Sequence, residues 1–234
     1  CQVFILGREL ARDLLTLPAL SQGKRILIRK NAAAMYLWDQ IFYLKKSARP
    51  AFEYAMKSMG SDVFDSVSTR NRLKEIADLY QDAFIYHELG EIKDKNFDRR
   101  IWREIIKKYS LSAVEFFARA VKDLLADTCE SGTLVNIIQK RDKTSLAFYV
   151  AFFDGLPRAI FPELRSSFEK FTEDENWRDL KQIVLEGYER AKAYSEIIKA
   201  FYREGERRND REWVKEKINA HIRKLGGDSR NYDN

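Results

Sequence analysis

The chain has 234 residues, 45% apolar, 13% aromatic and 33% charged, with four Pro, ten Gly and a net charge of +6. That is enough apolar material for one large or two small packed domains, and too little Pro and Gly for a disordered or fibrous chain. No uncharged run approaches the roughly 18 residues of a membrane-spanning helix, and two cysteines, Cys1 and Cys129, exclude a disulfide framework.

Free thiols favour a reducing, cytoplasmic compartment. The chain begins at Cys1 with no basic-then-apolar leader, and its start reads as trimmed. The positive charge is uneven. Residues 1–60 hold ten Lys and Arg against four Asp and Glu, and the rest of the chain is balanced.

In chain order, Val3 to Leu17 reads as a helix stopped at Pro18. Arg25 to Lys46 reads as one long helix; Arg25–Arg29 also fits a strand, but no partner strands are evident. Pro50 opens a short helix that Gly60 closes. Leu73, Ile76, Tyr80, Phe84 and His87 step by three and four along a helix from about Thr69 to Lys93. Asp98 to Tyr109 is shorter. Ser112 and Glu115 form a capping box that opens a helix with a stripe of Val114, Phe117, Val121, Leu124, Leu125 and Thr128. Asp142 to Phe153 is an aromatic-rich helix, and Pro157 and Pro162 mark a turn into Glu163 to Phe171.

Thr172 and Glu175 form a second capping box. After it Trp177, Leu180, Val184, Gly187, Ala191, Tyr194, Ile198 and Phe201 alternate steps of three and four, a heptad seam. Val214, Ile218, His221 and Leu225 continue the pattern beyond the polar turn Gly205 to Asp210. A short connection favours antiparallel neighbours, so the expected arrangement is a helical hairpin, with a homodimer seam as the alternative. The expected fold is all-α: a multi-helix body over 1–171 with a basic segment at 1–60, and a C-terminal antiparallel helical hairpin over 172–234. A disordered tail is expected from about 226.

Most chemistry is absent by motif. There is no Gly-x-Ser-x-Gly elbow, no Walker loop, no Gly-x-Gly-x-x-Gly and no His-Glu-x-x-His, so no cofactor is expected. Neither histidine has a Glu three residues before it, as di-iron bundles require. Cys129 sits near a helix C-terminus, where the dipole disfavours a thiolate.

One polar cluster survives. His87 and Glu91 are four apart and share a helix face, with Glu88 beside them, and they are the candidate catalytic residues. Asp123 and Asp127 can add carboxylates from another helix, which makes His87, Glu91, Asp123 and Asp127 a candidate metal-ligand set. The plainer reading is a core-edge histidine and a solvated face on which Arg119 pairs with Asp123.

The basic segment is a second lead. Lys24, Arg25, Arg29 and Lys30 form one cluster and Lys45, Lys46 and Arg49 another, with Tyr36, Trp38 and Tyr43 between them. Such a pattern suits an anion or nucleic acid, cations neutralising phosphates and aromatics stacking on bases. No helix-turn-helix, zinc finger or RNA-binding sheet signature accompanies it.

Gly7–Leu14, His87–Glu91, Arg119–Asp127 and Leu146–Leu164 resemble segments of an uncharacterised bacterial protein family. The resemblance covers about residues 5–165. It implies a cytoplasmic protein with a further portion ahead of this chain, and carries no catalytic role.

The leading expectation is a non-enzymatic, protein-binding helical module that uses the seam Trp177, Leu180, Val184, Tyr194, Ile198 and Phe201. Its partner would be another protein or an N-terminal part of the same polypeptide, with no membrane contact. The alternatives are nucleic-acid binding through 24–49 and a metal-dependent or acid–base enzyme centred on His87, Glu88 and Glu91.

Overall fold

The computed structural model describes residues 1–7, 17–61 and 66–229, without the side chains of 66 and 226–229. The chain is predominantly α-helical. A small sheet near its start corrects the expectation of two N-terminal helices. Strands β1 (Gln2–Leu6), β2 (Ala19–Gln22) and β3 (Arg25–Arg29) lie in the order β1-β3-β2. β1 runs parallel to β3, with Phe4 opposite Leu27, and β2 runs antiparallel to it. Arg25–Arg29 was the segment that fitted either state. Ile26 and Ile28 are buried on the face that packs on a later helix, the period of two that a strand requires. Its missing partner, Val3–Leu6, is a continuous apolar run that periodicity cannot assign. The remainder of the expected first helix, 8–16, lies outside the described residues.

Helix α1 (Lys30–Phe42) follows β3 directly. A 3-10 turn at Lys46–Ala48 leads into α2 (Arg49–Ser58), with Pro50 in its first turn. The single helix expected from Thr69 to Lys93 is three: α3 (Ser66–Asn71), α4 (Leu73–Leu79) and α5 (Gln81–Lys93). The stripe continues through the breaks, because Ile76, Tyr80 and Phe84 are all buried. Then come α6 (Arg99–Lys108), capped by Asp98, and α7 (Ala113–Thr128). In place of a reciprocal Ser112–Glu115 box, the Glu115 carboxylate accepts from Leu111 N at 2.7 Å, while Ser112 Oγ donates to Tyr109 O.

The chain continues through α8 (Thr133–Lys140), α9 (Lys143–Phe152), α10 (Gly155–Ile160) where a turn was expected, α11 (Glu163–Asp174), α12 (Trp177–Arg208) and α13 (Arg211–Ser229). The Thr172–Glu175 capping box is not formed. α11 runs through Thr172, whose hydroxyl donates back to Glu169 O. The cap is Asn176, whose side chain accepts from Arg178 N and Asp179 N at 3.1 and 3.2 Å. α13 continues past 226 to 229, and residues 230–234 lie outside the described residues. Among the described residues no helix is long and apolar enough to cross a membrane.

Two packing centres hold the fold. α2 lies on α9, where Phe148 and Phe152 stack, Phe52 packs at an angle to both, centroids 5.6–6.2 Å apart, and Tyr80 meets Phe148 and Phe152 edge-on. α7 is the hub. It touches α5, α6, α8, α10, α12 and α13, and Phe117, Val121, Leu124 and Leu125 on it are buried. α12 lies on α7, with Tyr194 edge-on to Phe117 at 5.5 Å, and Gly187 gives room to the ring of Phe161. Two residues, Asn209 and Asp210, join α12 to α13, where Phe201 meets Trp213 edge-on and Gly205 accommodates Val214.

Candidate metal centre

α5 and α7 cross closer than side chains usually allow. A Cβ built on Gly90 would lie 2.9 Å from Ala126 Cα and nearer still to the Ala126 carbonyl oxygen. Only glycine fits there, even though it costs about 1 kcal/mol in a helix interior relative to alanine. Gly90 stands between His87 and Glu91, and Ala126 between Asp123 and Asp127. The close crossing therefore brings both pairs of polar residues together.

The four sequence candidates do meet. His87 Nδ1 donates to Asp127 Oδ1 at 2.9 Å. Asp127 is itself fixed, accepting from Thr133 Oγ1 at 2.7 Å and from Tyr149 OH at 2.8 Å. Because an ionised carboxylate only accepts, the Nδ1 proton is set and Nε2 points the other way. There it lies 3.7 Å from Glu91 Oε1. His87, Glu91 and Asp123 each offer a ligand atom, and these atoms all lie within 4.8 Å of one another. Ligands about 2.1 Å from one tetrahedral ion stand about 3.4 Å apart, so a closure of at most about 1.4 Å brings all three onto one centre.

Electrostatics follow from crowding. Lys122 pairs with Glu91, and with His87 it is one of two bases facing three acids: Glu91, Asp123 and Asp127. Burial would depress the His87 pKa, but Asp127, Asp123 and Glu91 carry it up to about 10. Burial, with Asp127 and Glu91 adding to it, pushes Asp123 up to about 6 against the pull of His87 and Lys122. Burial also raises Glu88, which turns to the sheet and is hydrogen-bonded by Ser21. The pairing of Arg119 with Asp123 does not form: Arg119 takes Glu115, at 2.6 Å, and leaves Asp123 half-buried among other acids. Cys129 is buried, and burial pushes its thiol up to about 11.

The remaining candidates are scattered. Lys24 and Arg25 are exposed at the β2–β3 turn, while Arg29 is buried and reaches Leu17 O. Lys30 pairs with Asp78 at 3.2 Å and Lys45 with Asp154 at 2.8 Å; Lys46 and Arg49 are exposed. Tyr36 packs edge-on to Phe84, whereas Tyr43 is exposed next to Phe42. Leu180, Val184 and Ile198 of the seam are at most 1% exposed within the chain itself, and Trp177, Tyr194 and Phe201 pack on Phe171, Phe117 and Trp213.

Gly90, Lys122, Thr133 and Tyr149 were not singled out by sequence. A glycine inside a helical pattern was the one available signal.

The geometry defines a helical protein with a histidine–carboxylate centre between two tightly crossed helices. Residues 34–221 match the C-terminal domain of a family of unknown function, DUF6866, and the chain belongs to that family. No curated protein and no solved structure matches it.

Proposed function

We propose that the chain is a metal-dependent enzyme, with a divalent first-row transition ion held by Glu91, Asp123 and His87 Nε2, whose proton the ion displaces. The observation that carries this is the anchoring of His87. A metal-bound histidine typically gives its other N–H to a carboxylate that is itself hydrogen-bonded, as Asp127 is by Thr133 and Tyr149. One imidazole and two carboxylates suit zinc, manganese or iron(II), and three protein ligands leave a position for water, whose activation is the chemistry such an ion supplies. The excess of acids over bases favours a dication. Elemental analysis and cobalt(II) titration of protein purified without chelator are the test. One equivalent of metal is expected, lost in His87→Ala and bound about 10–100-fold more weakly in Asp127→Asn. A wild-type protein that takes up no metal would sink the proposal.

A second reading, protein docking, is favoured by β1. Among the described residues this strand pairs on one side only, and Val3, Phe4, Ile5 and Leu6 are 36–50% exposed on its two faces. Uncovered apolar edges invite further strands. The sheet precedes residue 34, where the match to a C-terminal domain begins, so the proposed partner is the part of the family's protein ahead of that domain. In the isolated chain, β1 amides should exchange hydrogen fast and light scattering should give a monomer. A dimer broken by Val3→Lys with Ile5→Lys would instead assign the edge to a second copy. Protected β1 amides in a monomer would remove the docking reading.

A further inference from the structure

A cleft of about 400 Å³ opens beside the centre, between the β2–β3 turn, the end of α5, and helices α6 and α7. Its volume lies within the range of small-molecule sites. Three cations line it: Arg99 and Arg103, four apart on one face of α6, and Lys122 from α7. Phe97, Trp102 and Leu125 supply apolar wall.

The two carboxylates of the lining are already engaged. Glu91 holds Lys122, and Asp94 accepts from Asn96 at 2.9 Å and from Tyr188 OH at 2.7 Å. Lys122 is further held over the Trp102 ring, 5.3 Å from its centroid. Arg99 reaches only Ile92 O, at 3.5 Å, and among the described residues Arg103 has no charged partner. The cleft thus presents two guanidinium groups whose forks are not occupied by a carboxylate.

We propose that this cleft binds a phosphomonoester with an apolar or aromatic organic part. Guanidinium forks match phosphate oxygens, and side chains four apart on a helix stand about 5–6 Å apart at Cβ, which suits two arginines straddling one tetrahedral dianion. A lone phosphate would fill only part of a space several times its size and leave the half-buried Trp102 of its wall unmatched, so the organic part lies along that ring. The cleft shares Glu91 with the proposed metal centre, but its cations owe nothing to a metal.

The test is calorimetric titration of the chain with phenyl phosphate, inorganic phosphate and phenol, in chelator and at about 0.15 M salt, where exposed charges are screened. Saturable one-to-one binding of phenyl phosphate is expected, at least about tenfold tighter than either fragment. Arg99→Ala with Arg103→Ala should weaken it about tenfold or more with the melting temperature unchanged, since both residues are exposed. Arg103→Glu alone should abolish it. Binding that survives these substitutions, phenyl phosphate no tighter than phosphate, or no saturable binding up to about 10 mM would each overturn the assignment. The chelator keeps the two claims separate: an absent metal leaves this result intact, and a failed titration leaves the metal assay intact.

Discussion

Gly90→Ala is expected to destabilise the protein by about 2 kcal/mol and to cost the metal centre its geometry. The added methyl meets the Ala126 carbonyl and Cα, which belong to the backbone of the hub helix and cannot rotate away. Overpacking against such a wall costs about 3 kcal/mol, at the upper end of the usual range. Alanine's better helix propensity returns only about 1 kcal/mol, so the clash wins. For a chain of this size the melting temperature should fall by roughly 4–8 °C. The effect on the site is more specific. Relief of the clash moves α5 off α7, and with it His87 and Glu91 away from Asp123 and Asp127. Metal affinity should drop by more than the stability loss explains. Ala126→Gly removes a side chain but leaves the carbonyl, so it should not rescue. A fully stable Gly90→Ala with unchanged metal binding would show that the helices cross less tightly than described.

Asp127→Ala is expected to cost about 3 kcal/mol. It strips one hydrogen bond each from His87, Thr133 and Tyr149; Thr133 still donates to Ala83 O at 3.1 Å, whereas the buried Tyr149 hydroxyl loses its acceptor. Removing one member of a buried pair costs about 3–5 kcal/mol, and the 30% exposure of His87 places this case at the low end. The effect depends on pH in a defined sense. The folded pKa of His87, about 10, is above its ordinary 6.5. The stabilisation is therefore full below about 6.5 and lost as pH rises through about 10. Urea unfolding of chelated wild-type and variant protein should show their difference shrinking between pH 6 and 10.5. A difference that grows with pH would mean that His87 is neutral in the folded protein. Asp127→Asn keeps an acceptor for His87 or Thr133 and should cost roughly a third as much.

The sequence was most legible where periodicity ran long. Val114 to Thr128 and Leu180 to Ile198 are buried as their spacing requires. It was least legible at the start, where Val3–Leu6 and Arg25–Arg29 are too short for a period to separate strand from helix and become strands only by finding each other. The site was half legible. Spacing put His87 with Glu91 and Asp123 with Asp127 on shared faces. Nothing local shows that two helices some 36 residues apart will cross at Gly90, or that Arg119 will choose Glu115 and leave Asp123 among acids. Thr133 and Tyr149 reach Asp127 from α8 and α9, and such long-range partners have no sequence signature.

The order in which this chain is made matters for its handling in the cell. Phe117 and Phe161 are synthesised before α12, which carries Tyr194 and Gly187, the residues that cover them. At about 5–20 residues per second, Phe117 waits roughly 4–15 s for Tyr194 to be synthesised. For that interval the hub helix lacks its longest neighbour. The nascent protein would thus offer a sticky aromatic ridge that the finished one conceals, and a message truncated before α12 would yield a product prone to aggregate and a natural client of chaperones.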